Sequence, residues 1–304
     1  MPDPVYVIGA SGRSGAALCN ALLARGCDII PVVRNAARWH ALGLPAEPRI
    51  ADAGDPASLA ACLSTARRLV SFAHASHSEN LVDAAPADCR FVLLGSTRRY
   101  TRWPDDHGNG VIAGETAFLA SGRNGVMLHP TMIYGAAHNE TVVRLAAMLR
   151  RLPLVPLPGG GRALLQPIHE DDFISCVIAA LEGDWLGPQT LVVAGPEAVP
   201  YAEFVRAIAR AAGLRRPLVL TVPAAALIAL APITGWLRFL PRLEADEVRR
   251  LLEDRAFPID AMTGKLGVRP MSLAQGLALP LGPAVTLPGS PAPSTPPAGS
   301  PSRH

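Results

Sequence analysis

Short apolar runs alternate with longer stretches rich in alanine and leucine over the first two thirds of the chain. The run Val5–Ile8 ends at a glycine, and the stretch that follows places Leu18 and Leu22 one helical turn apart before Gly26. This order predicts a strand, a tight turn, a helix and a glycine at the helix end.

Later apolar runs repeat this pattern. The other predicted strands are short and rich in Val, Ile, Leu and Phe: Ile29–Val33, Leu69–Ala73, Phe91–Leu94, Val126–Leu128 and Leu191–Ala194. Helical stretches separate them, the clearest being Asp171–Leu181. Strands that alternate with helices predict a parallel sheet covered on both faces. The predicted fold class is therefore α/β, a Rossmann-type doubly wound parallel sheet with a smaller C-terminal helical substrate lobe.

The pattern changes after Pro200. Helices are predicted at Tyr201–Ala212, Ala224–Ala231 and Ala245–Arg255. The stretch Leu218–Leu230 is apolar, but Pro223 and Pro232 interrupt it, and a membrane span needs about 20 residues. We therefore predict a buried or interfacial helix there, which leaves peripheral membrane contact open.

Three segments follow from these patterns. Residues 1–195 are predicted to form a dinucleotide-binding domain, with residues 136–169 contributing in part to the second lobe. Residues 196–279 are predicted to form a helical lobe that contacts a substrate or a protein partner. Residues 280–304 are rich in Pro, Gly and Ser, cannot bury a core, and are expected to be disordered.

Composition narrows the range of partners. Hydrophobic residues make up 49% of the chain and charged residues 17%, which suits a globular body. The formal net charge is +3, and no basic run interleaves with aromatic residues, so nucleic acid is not an expected partner.

Cysteine usage and the start of the chain point to a reduced compartment. The five cysteines are scattered without the spacing of a metal site, so no metal is expected. The chain enters the first predicted strand without the features of a signal peptide, and a cytoplasmic location is therefore expected.

A glycine-rich loop carries the strongest chemical signal. The segment Gly9-Ala-Ser-Gly12-Arg-Ser-Gly15 follows a predicted strand and opens a predicted helix. The first glycine permits a sharp turn, the second lets a pyrophosphate approach the backbone, and the third lets helix and strand come close. The helix start then attracts the negative charge. Dinucleotide contacts are thus predicted for the whole loop: Gly9, Ser11, Gly12, Arg13, Ser14 and Gly15.

The end of the second predicted strand favours one dinucleotide. NAD-specific proteins typically carry an acidic residue there, which accepts hydrogen bonds from the ribose hydroxyls. Here the residue is Arg34, whose guanidinium suits a 2′-phosphate, and Arg13 could assist. NADP(H) is therefore the predicted cofactor, and NAD(H) is the second candidate. The alternative interpretation of Arg34 is that it is a solvated charge at the end of the strand. Asp52 is predicted either to contact the adenine amino group or to cap a loop.

Several further segments resemble the extended and atypical short-chain dehydrogenases/reductases, a group that includes nucleotide-sugar epimerases and an accessory subunit of respiratory complex I. The segments that carry the resemblance are Leu94-Gly-Ser-Thr97, His129-Pro-Thr-Met-Ile-Tyr-Gly135, Leu165-Gln-Pro-Ile-His-Glu-Asp-Asp172 and Ala194-Gly-Pro-Glu197. The resemblance covers most of residues 4–275. It implies catalytic roles for Ser96 and Thr97 and places Pro130 beside the nicotinamide, with Ala73 and His74 in a loop on the same side.

The catalytic signature of that family is missing. The family uses Tyr-x-x-x-Lys, in which the lysine lowers the pKa of the tyrosine that moves a proton. Alignment on Glu115 puts His107 at the tyrosine position and Val111 at the lysine position. Lys265 is the sole lysine of the chain, so no tyrosine has a lysine at the required spacing.

Three interpretations stay open. Another residue could act as the acid or base: Ser96, Thr97, Tyr100 or His107. The protein could bind the dinucleotide without turnover, as a sensor or a structural subunit, and the sequence favours this interpretation slightly. Or it could be an NADP(H)-dependent reductase or epimerase acting mainly through positioning on a small carbonyl, a nucleotide-sugar or a lipid-like substrate.

His169, Asp171 and Asp172 could suggest a metal or acid–base cluster. Their spacing matches no recognised ligand pattern. The resemblance implies that this stretch caps a helix and joins the lobes, and that is the predicted role.

Overall fold

The computed structural model describes residues 3–135, 140–152, 154–228 and 245–279. Its centre is a seven-stranded parallel sheet with the strand order β11-β6-β5-β4-β1-β2-β3. Its strands are β1 (Val5–Ile8), β2 (Ile29–Val33), β3 (Arg49–Ile50), β4 (Arg68–Ser71), β5 (Arg90–Leu94), β6 (Gly125–Pro130) and β11 (Pro188–Val193). The predicted Rossmann-type α/β fold is confirmed.

The strand order reverses beside β1. The chain continues from β1 to β2 and β3 on one side, and β4, β5, β6 and β11 lie on the other. Loops at the carboxyl ends of β1 and β4 therefore diverge and leave a crevice, which is where ligands bind in open α/β sheets.

Helices cover both faces of the sheet. They are α1 (Arg13–Ala24), α2 (Ala36–His40), α3 (Pro56–Leu63), α4 (Ser78–Ala84), α5 (Asp106–Ala120), α6 (Glu140–Arg151), α7 (Glu170–Glu182), α8 (Tyr201–Ala211), α9 (Ala245–Arg250), α10 (Asp260–Leu266) and α11 (Leu273–Ala278). Alternation along β1 shows the two layers, because successive strand side chains point to opposite faces. Val5 and Val7 pack with α1 and α7, whereas Tyr6 and Ile8 pack with α3, α4 and α5.

A second body forms beside the sheet from α6, α8, α11 and short strand pairs. The pairs join β8 (Leu154–Pro158) to β13 (Leu218–Val222), β9 (Leu164–Leu165) to β12 (Val199–Pro200), and β7 (Ile133–Tyr134) to β10 (Ile168–His169). Its apolar centre is separate from the layers on the sheet and includes Val142, Phe204 and Leu277.

Two predictions after Pro200 were wrong in part. The start of the expected helix over Leu218–Leu230 is instead the strand β13, in which Leu218–Val222 pair with β8. The helix predicted from Ala224 does begin there, and residues 224–228 are helical. The helix expected over Ala245–Arg255 ends at Arg250, where the chain turns to contact other loops. Residues 229–244 and the expected disordered tail, 280–304, lie outside the described residues. Among the described helices none is both long and apolar enough to cross a membrane.

Candidate functional site at the carboxyl ends of the strands

The glycine loop forms a tight turn between β1 and α1. Gly9 has φ +75°, its N–H donates to the Val32 carbonyl at 2.9 Å, and its own carbonyl accepts from the Gly12 N–H at 2.9 Å. A Cβ placed on Gly15 would lie 2.3 Å from the Gly9 carbonyl oxygen. The turn and the close approach of α1 therefore both require glycine.

The first turn of α1 is suited to an anion. Its N-cap is Gly12, which has no side chain to accept from the helix N–H groups, and the turn contains no acidic residue. The positive end of the helix dipole points to this place. A groove of about 860 Å³ runs from the loop between α1 and α7, and its lining includes Ser11, Gly12, Arg13, Arg38, Leu42 and Ile174.

Guanidinium groups surround the end of β2. Arg34 follows the strand directly and is exposed, and Arg38 lies one turn later on α2, also exposed. Asn35 caps α2 by accepting the Arg38 N–H at 3.3 Å. Sequence reasoning chose Arg34 and Arg13 but missed Arg38, whose helical spacing from Arg34 was the available signal.

Asp52 lies in the exposed loop after β3. Its Oδ1 accepts the Gly54 N–H at 2.9 Å, and the Ser58 hydroxyl contacts its backbone. The loop-capping role, one of the two predicted for Asp52, is thus present in the structure. Its exposed carboxylate leaves the adenine contact as a prediction.

The loop after β4 lies against the glycine turn. A Cβ on Gly9 would lie 3.4 Å from Phe72 Cβ and 3.6 Å from the Ala73 nitrogen. His74 then caps a short 3₁₀ turn, accepting the Ser76 N–H on Nδ1 at 3.3 Å. The structure therefore brings Ala73 and His74 to the same crevice as Gly9.

Ser96 and Thr97 follow β5 and contact the end of β6. The Ser96 N–H donates to His129 Nδ1 at 3.2 Å, while its hydroxyl oxygen accepts the Arg98 N–H at 3.1 Å. Thr97 is buried, and its hydroxyl donates to the Pro130 carbonyl at 3.1 Å. The structure brings these predicted residues together, with the proton of Thr97 already engaged.

His107 occupies the first turn of α5, with its ring 4.5 Å from that of His74 in an edge-to-face contact. The side chain reaches solvent, yet partial burial lowers the pKa of His107, with smaller electrostatic contributions from the neighbouring His74 and Arg98. Its imidazole is therefore neutral at pH 7, and a neutral imidazole is a weak proton donor.

Val111 lies one turn after His107 and is buried among the apolar residues under the sheet, with 1% of its surface exposed. The helix is held close there, because a Cβ on Gly114 would lie 1.8 Å from the Ala75 carbonyl oxygen. The position aligned with the family's lysine is thus part of the core.

A buried polar cluster supports the loop after β5. Glu115 Oε2 lies 2.8 Å from Arg99 Nε and 3.1 Å from His129 Nε2, at ion-pair distance without hydrogen-bond alignment. Burial, with Arg99 adding to it, lowers the pKa of His129 to about 4, so that ring is neutral. Burial raises the pKa of Glu115, which the Arg99 charge opposes.

Sequence reasoning used Glu115 only as an alignment marker and did not assign it, Arg99 or His129 to the site. One signal was available. Glu115 shares a buried face of α5 with Val111 and Phe118, at the spacing of an apolar helix stripe. A carboxylate in that stripe needs partners, since buried charges are paired.

A clasp from the C-terminal part of the chain closes over the same loop. Glu253 accepts from the Thr101 hydroxyl at 2.9 Å and from the Arg102 N–H at 2.6 Å. Arg250 lies 3.3 Å from Asp105, the residue that caps α5. We refer to these contacts, between residues 101–105 and 250–253, as the clasp.

The segment with His169 has the predicted structural role. His169 Nδ1 accepts the Asp171 N–H at 3.2 Å and caps α7. Asp172 Oδ2 accepts the Met271 N–H at 2.9 Å, which ties the C-terminal segment to this helix. These contacts join the two bodies of the molecule.

Known proteins resemble this chain in sequence and in fold. No family model matches the chain. A curated relative, the 3-diazoavenalumate denitrifying reductase of a Streptomyces species, is 28% identical, and the match covers 76% of this chain and 87% of that protein.

Solved structures share the fold. The protein gox2253 matches with a TM-score of 0.71 at 19% identity, covering 91% of this chain and 96% of that one. The NADPH-dependent quinone oxidoreductase QOR2 of Escherichia coli, solved with NADPH, matches with a TM-score of 0.70 at 18% identity, covering 90% and 98%. Other structural neighbours are nucleotide-sugar dehydratases, an epimerase and a short-chain dehydrogenase/reductase protein, several with NAD bound.

Proposed function

We propose that this protein is an NADP(H)-dependent reductase. One observation carries the proposal. The turn after β1, where the order of the strands reverses, has positions that only glycine can occupy, and it leads into a helix start that is suited to a pyrophosphate. The curated relative is a reductase by name, which favours reduction over epimerisation. On this proposal residues 1–195 hold the dinucleotide, residues 196–279 contact the substrate, and the protein acts in the cytoplasm.

The residues at the crevice fit a dinucleotide. The turn at Gly9 and Gly12 would hold the pyrophosphate, and the loop with Ala73 and His74 would border the path toward the nicotinamide. Thr131, next to Pro130, has a buried hydroxyl oxygen with no hydrogen-bond partner among the described residues. A buried polar atom of this kind needs a partner, which a bound amide group could supply.

Arg34 and Arg38 favour NADPH over NADH. We expect Arg34→Ala or Arg38→Ala to weaken NADPH binding by about 10- to 100-fold, because a charge-assisted hydrogen bond contributes about 1.5 to 3 kcal/mol. NADH binding should change by less than about threefold. Arg210→Ala, at an exposed arginine on α8, is the matched control. Fluorescence titration measures both affinities, and an equal loss for the two dinucleotides contradicts the NADP(H) preference.

The chemistry divides between cofactor and protein. Bound NADPH supplies a hydride to an electrophilic carbon. The protein's part is to position the acceptor over the loop after β5, where Ser96 lies, and to keep water out beneath the clasp. A proton for the reduced oxygen must come from a side chain at this place or from solvent.

A second candidate function is dinucleotide binding without turnover, in a sensing or structural role. Two features favour it: Val111 is buried where the family has lysine, and burial lowers the pKa of His107. The third candidate function for the same site is epimerisation with a non-standard acid or base.

The deciding experiment starts with the purified full chain. Bound nucleotide is identified after denaturation, and NADPH oxidation is then followed with an aromatic aldehyde, an aliphatic dicarbonyl, a 4-keto nucleotide-sugar and a carboxylated diazo compound. The diazo compound is included because of the relative's name. Turnover with any acceptor supports the reductase. Retained NADP(H) without oxidation across the panel supports the binding role.

A further inference from the structure

We propose that Tyr100, held by Arg99, is the proton donor of this site and takes the place of the missing tyrosine–lysine pair. The proposal rests on the reductase function proposed above and names the residue that completes it. It differs from the expectation at His107, the position where the family's alignment puts the catalytic group.

Tyr100 lies at the end of the short turn that begins at Thr97. The residue is 48% exposed, so part of its side chain reaches solvent. Its ring centroid lies 5.5 Å from that of Phe257, whose backbone hydrogen-bonds to Gln166, and 6.4 Å from that of His129 on β6. Tyr100 therefore lies between the segment that contains Phe257 and the carboxyl ends of β5 and β6.

The guanidinium of Arg99 contacts the phenol of Tyr100. Arg99 NH1 donates to Tyr100 Oη at 3.2 Å, and the guanidinium carbon lies 4.8 Å from the ring centroid. A guanidinium in this position stabilises negative charge as it develops on the phenolic oxygen. In the family's signature a lysine stabilises the tyrosinate in this way, and here Arg99, the residue before Tyr100, has that role.

The buried Glu115 holds Arg99 in place. Its Nε lies 2.8 Å from the buried Glu115, and Glu115 also meets His129, which in turn accepts the Ser96 N–H. Because the carboxylate balances the guanidinium, the arginine can be partly buried and still point at Tyr100. The cluster thus links α5, β6 and the loop after β5, and it explains why a charged residue occupies the buried face of α5.

The other candidate donors are less suited. The Thr97 hydroxyl already donates to Pro130, and burial lowers the pKa of His107, which reduces the share of protonated imidazole that could act as a donor. In the proposed step the Tyr100 O–H bond breaks as the acceptor's carbonyl carbon is reduced. The phenolic proton goes to the carbonyl oxygen, whose π electrons form the new O–H bond. The resulting tyrosinate regains a proton from water, so the products are an alcohol and the oxidised dinucleotide.

The test compares Tyr100→Phe with Tyr6→Phe, which removes a hydroxyl that contacts Thr65 in the loop before β4, at the opposite end of the sheet. The acceptor is the aldehyde or ketone of the panel that the wild-type protein reduces fastest. A general acid contributes about 10²- to 10⁴-fold, so we expect kcat of Tyr100→Phe to fall at least about 100-fold. The NADPH dissociation constant, measured by fluorescence, should stay near wild type in both variants. The melting temperature of Tyr100→Phe should also stay near wild type, and Tyr6→Phe should keep its kcat.

Variants at Arg99 separate charge from structure. Arg99→Lys keeps a cation, so its kcat should stay within about fivefold of wild type. In Arg99→Gln, kcat should fall at least about tenfold while the NADPH affinity stays the same. If both variants lose activity equally, the electrostatic role of Arg99 is wrong.

The remaining outcomes separate this proposal from the reductase proposal. A Tyr100→Phe protein that keeps more than a tenth of kcat overturns the assignment while the reductase function stands. The same holds if His107→Phe abolishes turnover and Tyr100→Phe does not. A wild-type protein that binds NADPH and reduces no acceptor overturns both.

Discussion

Gly15→Ala should abolish dinucleotide binding, with the NADPH dissociation constant rising at least about 100-fold. The added Cβ would meet the Gly9 carbonyl oxygen at 2.3 Å and the Ala10 Cα at 2.9 Å. Both contacts are with backbone, so no side chain can rotate away. The helix start must move off the turn, and the N–H groups that would receive the pyrophosphate move with it.

Gly264→Ala is the matched control for this change. Gly264 lies within α10, and a Cβ there meets no atom within 4 Å. Alanine is favoured over glycine inside a helix by about 1 kcal/mol, so this variant should melt at the wild-type temperature or above. Isothermal titration with NADPH and thermal unfolding measure both effects. Wild-type affinity in Gly15→Ala would show that the loop does not hold the dinucleotide.

Acid should destabilise the fold through His129. The pKa of this buried ring is about 4 in the folded protein and 6.5 when exposed, so the folded state favours the neutral form. The stabilisation is complete above pH 6.5 and is lost as the pH falls from 6.5 toward 4, by up to about 1.4 kcal/mol per pH unit. We therefore expect a loss of about 2 to 3 kcal/mol by pH 4.5 from this group.

His129→Gln isolates that contribution. A glutamine can still accept the Ser96 N–H and donate to Glu115, but it does not titrate. Chemical denaturation at pH 7.5 and pH 4.5 should show a smaller difference in unfolding free energy for the variant than for wild type. An equal difference in the two proteins would mean that other groups, such as the carboxyl of Asp105, cause the acid sensitivity.

The parts predicted well from the sequence are those set by neighbouring residues. Strands β1 and β2 have the predicted ends, and α1 begins within the glycine loop. The residues that determine the strand, the turn and the helix all lie within about 25 positions there, so the local sequence pattern is enough to predict the local structure. Ser96, Thr97 and Pro130 were also found to lie together, because motifs at the carboxyl ends of adjacent parallel strands share one edge.

Other parts depend on contacts distant in the sequence. The strand β13 resembled a helix because a short apolar run does not distinguish the two, and only its partner β8 decides the outcome. The pairing of Arg99 with Glu115 and His129 joins three elements. The clasp joins residues about 150 positions apart, and a single sequence carries no sign of which charges will meet at that distance.

The clasp also orders events at the ribosome. The last strand of the central sheet ends at Val193, and Glu253 is made later. All seven strands of the sheet and the glycine loop are therefore made while the loop with Tyr100 is still uncovered, and Met262 and Leu266, which also belong to the core of the sheet, follow later. A dinucleotide that binds at that stage would stabilise the emerging chain before the clasp forms. Cofactor supply during translation would then influence how much active protein a cell obtains.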